Sequence, residues 1–180
     1  EHKLLAQALP VSEEKRAWLY PFYKNKNIMI LESDKLRSPT TFGIFRPNVI
    51  LPTTMDMSNK EALHFIFLHE LTHIKRKDNL IKLISLIAVC IHWFNPLVWI
   101  MYFLQNRDIE IACDEKVVSA LSEDEKCIYA STLISFADKH SLLISANSFS
   151  KHPLYERIDS IMKYKKITAA LCAAGAALLC

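Results

Sequence analysis

The pentapeptide His69-Glu70-Leu71-Thr72-His73 constrains this chain more than any other stretch, because its three polar side chains only converge if they sit on a helix. Histidines four apart lie about 40° from eclipsed around a helix axis, so both imidazoles can reach one ion. Glu70, between them, then points toward whatever that ion binds, which is the pattern of a catalytic zinc site. The flanks supply the helix. Ser58 to Glu61 forms an S-x-x-E capping box, Leu63, Phe67, Leu71 and Ile74 recur at helical spacing, and Lys75-Arg76-Lys77 suits the negative end of the dipole. The pattern predicts a helix over about residues 59–77.

A zinc ion held by two histidines needs a third protein ligand if it is to keep one position for water. From Asn79 to Leu104 the only formally charged residue is Lys82, long enough for a membrane span, but His92-Trp93-Phe94-Asn95-Pro96 interrupts it. Asn95 as N-cap with Pro96 at N1 starts a new helix. The stretch therefore divides into helices over about 79–93 and 96–121, a hairpin that packs on the zinc helix and dips into the bilayer, with Trp93, Trp99 and Tyr102 suited to an interface. Its second arm carries Glu110 and Asp114, which share a face, 37 residues beyond His73 on a helix placed to return to the metal. Glu110 as third ligand completes a His, His, Glu set. The metzincin pattern is excluded by Arg76 and Asn79, and His92 and His140 remain alternatives.

Around this centre the sequence predicts a mostly α fold with a small antiparallel β-sheet, an α+β, zincin-like, membrane-associated peptidase domain. Residues 1–20 read as helix, with Ser12-Glu13-Glu14 as a start signal, while Asn27 to Leu31 and Thr41 to Leu51 read as strands, the latter broken by the turn Arg46-Pro47-Asn48. A strand beside the zinc helix either pairs with an extended substrate or only shields that helix. Ser122-Glu123-Asp124-Glu125 is a second capping box. Residues 139–152 form the most loop-like part, and Pro153 opens a short helix through Ile161. Residues 1–166 form one peptidase domain with its motifs within about 38–162, and 167–180, uncharged behind Lys163-Tyr164-Lys165-Lys166, read as the start of a truncated transmembrane helix.

Composition supports this setting. Hydrophobic residues make up 51% of the chain, with two glycines and a mean hydropathy of +0.12, more apolar than an ordinary cytosolic enzyme. The net charge of +3, without interleaved aromatics, argues against direct nucleic-acid binding. Cys90, Cys113, Cys127, Cys172 and Cys180 have no C-x-x-C spacing and read as small buried hydrophobes rather than a disulfide framework.

Four motifs occur in order: Phe42-Gly43-Ile44-Phe45-Arg46-Pro47 with Val49-Ile50-Leu51-Pro52, His69 to Asp78 as HELTHIKRKD, Trp93-Phe94-Asn95-Pro96-Leu97-Val98-Trp99, and Asp108 to Glu115 as DIEIACDE. Together they resemble the peptidase region of the BlaR/MecR-type antirepressor sensors. The resemblance implies a gluzincin in a bacterial cell membrane, its peptidase domain facing the cytoplasm, with His69, His73 and Glu110 as zinc ligands and Glu70 as the catalytic glutamate. Asp114 then matches an acid that accepts a hydrogen bond from a ligating histidine. It also implies signalling in beta-lactam resistance by cleavage of a cytoplasmic repressor, self-cleavage, for which Ser148-Phe149 is the most accessible apolar-flanked bond, and a protein able to form homo-oligomers. Two rival readings are a housekeeping membrane gluzincin and a non-catalytic scaffold tied together by zinc. Tyr129, His140 and Arg157 are unranked candidates for stabilising the carbonyl oxygen.

Overall fold

The computed structural model describes residues 8–23, 28–36, 38–55, 58–141 and 151–165. In chain order these form β1 (Leu9–Pro10), α1 (Glu13–Tyr23), β2 (Met29–Ser33), β3 (Thr40–Phe42), β4 (Asn48–Pro52), α2 (Lys60–Arg76), α3 (Asp78–Ile91), α4 (Pro96–Val118), α5 (Glu123–Ser141) and α6 (Lys151–Lys163). The mostly helical α+β class is the one expected. Ser148, Phe149 and the segment 167–180 lie outside the described residues.

One strand pairing differs from expectation. The sheet order is β1-β2-β4-β3, with β1/β2 and β3/β4 antiparallel but β2/β4 parallel, Ile30 opposite Val49 and Glu32 opposite Leu51. The sheet is therefore mixed, not antiparallel. Val49, Ile50 and Leu51 of β4 are all buried, and so apolar a run takes the central position, leaving Thr40-Thr41-Phe42 on the edge. The β3–β4 turn depends on Gly43, whose φ is +90° and where a Cβ would meet the Arg46 carbonyl oxygen at 2.5 Å.

The first residues differ as well. Leu9–Pro10 pairs as a strand, and the helix starts at Glu13, where the Ser12 carbonyl accepts the Arg16 N–H at 2.9 Å. Pro10 lacks the N–H that a helix through this point would use. At α2 the cap is Asn59 rather than Ser58: its side-chain oxygen accepts the Ala62 N–H at 3.0 Å. The signals at Asn95-Pro96 and Ser122-Glu125 act as read, with Asn95 Oδ1 accepting from Leu97 N at 3.0 Å and Ser122 N donating to Glu125 Oε2 at 2.8 Å.

Helix α2 lies between two cores. Phe65 joins Val117, Val118, Leu121, Tyr129, Ala130 and Ile161 from α4, α5 and α6 and the α4–α5 turn, while Phe67 and Leu71 join Leu19, Ile28, Val49 and Leu51 on the sheet side. Each large side chain buried this way stabilises the fold by about 1.5–3 kcal/mol. With two faces fixed by burial, the third presents His69, Glu70 and His73. The α3–α4 hairpin projects with Ile84, Ile87, Trp93, Phe94, Leu97 and Phe103 exposed. Among the described residues no helix is long and apolar enough to cross a membrane.

Candidate metal centre

The end of α2 shapes one side of the site. Lys77 takes a left-handed conformation, φ 58°, and its N–H satisfies the carbonyls of His73 and Ile74. That turn swings the next residue, Asp78, back under the helix, where its Oδ2 accepts from His73 Nδ1 at 2.7 Å. Asp78 is fully buried and also receives Arg76 Nε at 3.2 Å on each oxygen, while Arg76 Nη1 donates to the Ala112 carbonyl at 2.8 Å. With Nδ1 committed as a donor, His73 directs the lone pair of Nε2 into the cleft.

His69 is oriented from the other side. Its Nδ1 lies 2.9 Å from the Tyr129 hydroxyl and 3.2 Å from Asp114 Oδ1, and that hydroxyl donates to the same Asp114 oxygen at 2.6 Å. Because the tyrosine proton goes to the carboxylate, His69 Nδ1 must be the donor in this chain, which leaves Nε2 as the atom turned to the cleft, where it takes a proton or a metal. Arg157, from α6, closes the network with Nε on Asp114 Oδ2 at 2.6 Å and Nη2 on Oδ1 at 2.9 Å.

The two Nε2 atoms are 3.0 Å apart, and Glu110 Oε2 from α4 lies 3.5 Å from one and 3.6 Å from the other. Bonds of about 2.0–2.2 Å at tetrahedral angles place donors roughly 3.3–3.6 Å apart, so the two Glu110 sides match a zinc-sized ion, and the histidine pair, at 3.0 Å, would open by a few tenths of an ångström to hold it. His69, His73 and Cys113 also approach within 4.8 Å of one another. The thiol interacts with His73 as well, but it sits 3.6 Å from His69 Nδ1, the nitrogen that faces Tyr129 and Asp114, and donates to the His69 carbonyl at 3.5 Å. The Glu110 triangle is the tighter set and the one facing the cleft.

The protons reinforce that fit. Burial opposes charge on His73, yet hydrogen bonds to Cys113 and Glu110 outweigh it and push its pKa up to about 10. His69 is likewise raised, against its burial, by Tyr129 and Asp114. Burial disfavours the Glu110 carboxylate, but His69 and His73 hold its pKa far below the usual range. Two imidazoles and a carboxylate this strongly coupled hold protons where a divalent cation would replace them.

A cleft of about 320 Å³ opens over this triangle, lined by Thr40, Thr41, His69, Glu70, His73, Lys82, Glu110 and Arg157, among others. The Thr41 hydroxyl donates to Glu70 Oε2 and approaches the Glu70 carbonyl at 3.4 Å. Lys82 turns inward to Glu110 Oε1 at 3.4 Å. Asn79 Nδ2 donates to the carbonyls of Thr41 and Gly43 at 3.3 and 3.2 Å, so those acceptors on the β3 edge are unavailable to a substrate strand. At this point the edge shields α2.

Of the alternative ligands, His92 is exposed in the hairpin turn, and the His140 side chain is outside the description. Of the carbonyl-oxygen candidates, Tyr129 is buried and committed to His69 and Asp114, whereas Arg157 lines the cleft. Cys113 is buried as expected, but Cys90 and Cys127 are exposed. Asp78 and Cys113 drew no functional reading from sequence. An acid five residues after the second histidine, just past the end of its helix, was the available signal for Asp78.

A helix-borne histidine pair with a glutamate between them, and a further acid brought in by a later helix, is the layout of a metallopeptidase domain. The family model described as BlaR1 peptidase M56 matches residues 12–161, and the chain belongs to this family of metallopeptidases. It is similar to the regulatory protein BlaR1 of Bacillus licheniformis, 32% identical over 84% of this chain and 26% of that protein. It also resembles the methicillin resistance mecR1 protein of Staphylococcus aureus, 30% identical over 74% and 22%, and the regulatory protein BlaR1 of Staphylococcus aureus, 30% identical over 79% and 26%. The chain spans about a quarter of the length of these curated relatives.

Proposed function

We propose that this chain is the catalytic part of a zinc endopeptidase at a bacterial membrane, in which His69, His73 and Glu110 hold the metal and Glu70 is the general base. The observation that carries this reading is the triangle of donors, 3.0, 3.5 and 3.6 Å on a side, facing the cleft beside Glu70. When bound, zinc supplies a Lewis acid and brings the acidity of its water toward neutral pH. Glu70 takes the proton from the attacking water and returns it to the leaving amine, with the Thr41 hydroxyl fixing one carboxylate oxygen so that the other faces the water. His73 is held by Asp78 and His69 by Tyr129 and Asp114, so neither ligand reorients during turnover.

The substrate is a peptide bond in a cytoplasmic repressor, in the chain itself near Ser148-Phe149, or in both. The chain's similarity to a regulatory protein and to a methicillin resistance protein supports a signalling role of this kind. The α3–α4 hairpin supports a lipid partner. Between Ile81 and Leu104 its exposed side chains are apolar apart from His92 at the turn, and Lys82 turns to Glu110, while Ser85 donates to Gln105 at 2.6 Å and Trp99 Nε1 to the Trp93 carbonyl at 2.9 Å. Internal pairing of polar groups is what immersion in hydrocarbon requires. The hairpin enters one leaflet and sets the cleft near the cytoplasmic surface.

Glu70→Gln is expected to retain zinc while cleavage of the repressor, and of the chain itself, falls by roughly 10²–10⁴, read by mass spectrometry of fragments alongside elemental analysis. Unchanged cleavage by a zinc-loaded Glu70→Gln protein would rule out the assigned base.

A further inference from the structure

The residue that completes the support of His69 comes from the last described helix. From α6, Arg157 reaches the metal-facing groups: two nitrogens on the fully buried Asp114, Nη2 3.5 Å from His69 Nε2, and Nη1 3.7 Å from Glu110 Oε2. The guanidinium thus grips both oxygens of the carboxylate on which Tyr129 and His69 depend. A planar fork of this kind fixes the rotation of a carboxylate where an ammonium would fix only a point.

We propose that Arg157 is a positioning residue that locks the Asp114–Tyr129–His69 chain, so that a competent metal site exists only while α6 is docked on α4. The proposal rests on the zinc reading given above. Ile161 packs in the helical core that also holds Tyr129, whereas two polar contacts of α6 lie away from this chain: Glu156 pairs with Arg107 at 3.5 Å, and Ser160 donates to Glu115 at 3.2 Å. Those two contacts allow docking to be perturbed without removing the Arg157 fork. With the fork removed, Asp114 rotates, the Tyr129 hydroxyl loses a fixed acceptor, and the His69 ring gains freedom that zinc binding must then remove. Whatever pulls α6 away from α4 would withdraw the Arg157 fork together with Ile161, which makes α6 a natural point for regulating the site.

The experiment is zinc affinity by chelator competition on the full chain in detergent, with helicity followed by circular dichroism, for the unaltered protein and Arg157→Gln, Arg157→Lys and Arg107→Gln. Arg157→Gln is expected to bind zinc about 10–100-fold more weakly with helicity retained, Arg157→Lys to recover part of that loss, and Arg107→Gln to stay within about twofold of the parent. If Arg157→Gln does not fold, Arg157→Lys carries the test, and a loss of about tenfold or more in a fully helical protein supports the role. Parent-like zinc affinity in a folded Arg157 variant would overturn it, as would an equal loss in Arg107→Gln, which would make general docking of α6 the cause. Zinc binding absent from the unaltered protein would overturn the metal reading and this inference together, an outcome distinct from either of those.

Discussion

Helix α4 begins with apolar side chains turned outward and ends with charged ones turned inward. Near its start, Trp93, Phe94 and Leu97 are 70%, 70% and 68% exposed. Seventeen residues after Leu97, roughly 25 Å along the axis, Asp114 is fully buried among Arg157, Tyr129 and His69. In water each end would be costly: the first leaves hydrocarbon exposed, and the second takes charges out of solvent, which the interior tolerates only when they are paired and hydrogen-bonded. The two arrangements become consistent if the hairpin has a solvent of its own, lipid, and the polar cluster a ligand of its own, a metal. On the proposed membrane reading, one helix would tie the depth of the hairpin in the lipid to the position of Glu110.

The comparison breaks most readily at the hairpin. The double variant Ile84→Glu/Phe103→Glu should lower partitioning onto phospholipid vesicles by roughly 10²–10⁴, since each side chain forfeits about 1.5–3 kcal/mol of apolar burial. Its folding stability in detergent-free buffer should stay within about 0.5 kcal/mol, because both side chains are exposed. Undiminished vesicle binding would mean that the apolar end serves another purpose. At the polar end the effects reverse. Asp78→Asn, which weakens the acceptor for His73 Nδ1, should reduce zinc affinity about 10–100-fold and leave vesicle binding unchanged. On metal binding the smallest effect belongs to Gly43→Ala, which should cost about 1–3 kcal/mol of stability, because its φ is positive and its Cβ would meet the Arg46 carbonyl. As Asn79 anchors α3 to this turn, chemical denaturation of Gly43→Ala should reveal a loss confined to stability, with zinc stoichiometry retained.

What could be seen in the sequence follows from how locally each feature is encoded. The helix carrying His69 and His73, the restart at Asn95-Pro96 and the cap at Ser122 depend on residues within a few positions of one another, and each forms where its signals lie. The parallel β2/β4 pairing is not local: it arises from competition between strands for the central place, which Val49-Ile50-Leu51 win by burial. The site divides the same way. The spacing of His69, Glu70 and His73 is written in one helical turn, and Glu110 could be reached by following α4 back toward α2. Of the partners that orient the histidines, Asp114 was named through the family resemblance, but Tyr129 and Arg157 were not expected in that role. Arg157 lies 43 residues beyond Asp114 and Tyr129 lies 60 beyond His69, so it takes the packing of α6 on α4 and of α5 on α2 to bring them together. Asp78 was nearer in sequence, but its role depends on a left-handed residue at Lys77, a position where glycine is the usual signal.

The central claim is that the donors facing the cleft are His69, His73 and Glu110, and zinc stoichiometry by elemental analysis of the detergent-purified chain tests it most directly when Glu110→Ala and Cys113→Ser are measured beside the parent. The account predicts about one zinc per chain in the parent and in Cys113→Ser, as expected of a site with three protein ligands and an open position, and its loss in Glu110→Ala. Retention in Glu110→Ala with loss in Cys113→Ser would contradict it, and would move the metal to the thiol side of His69.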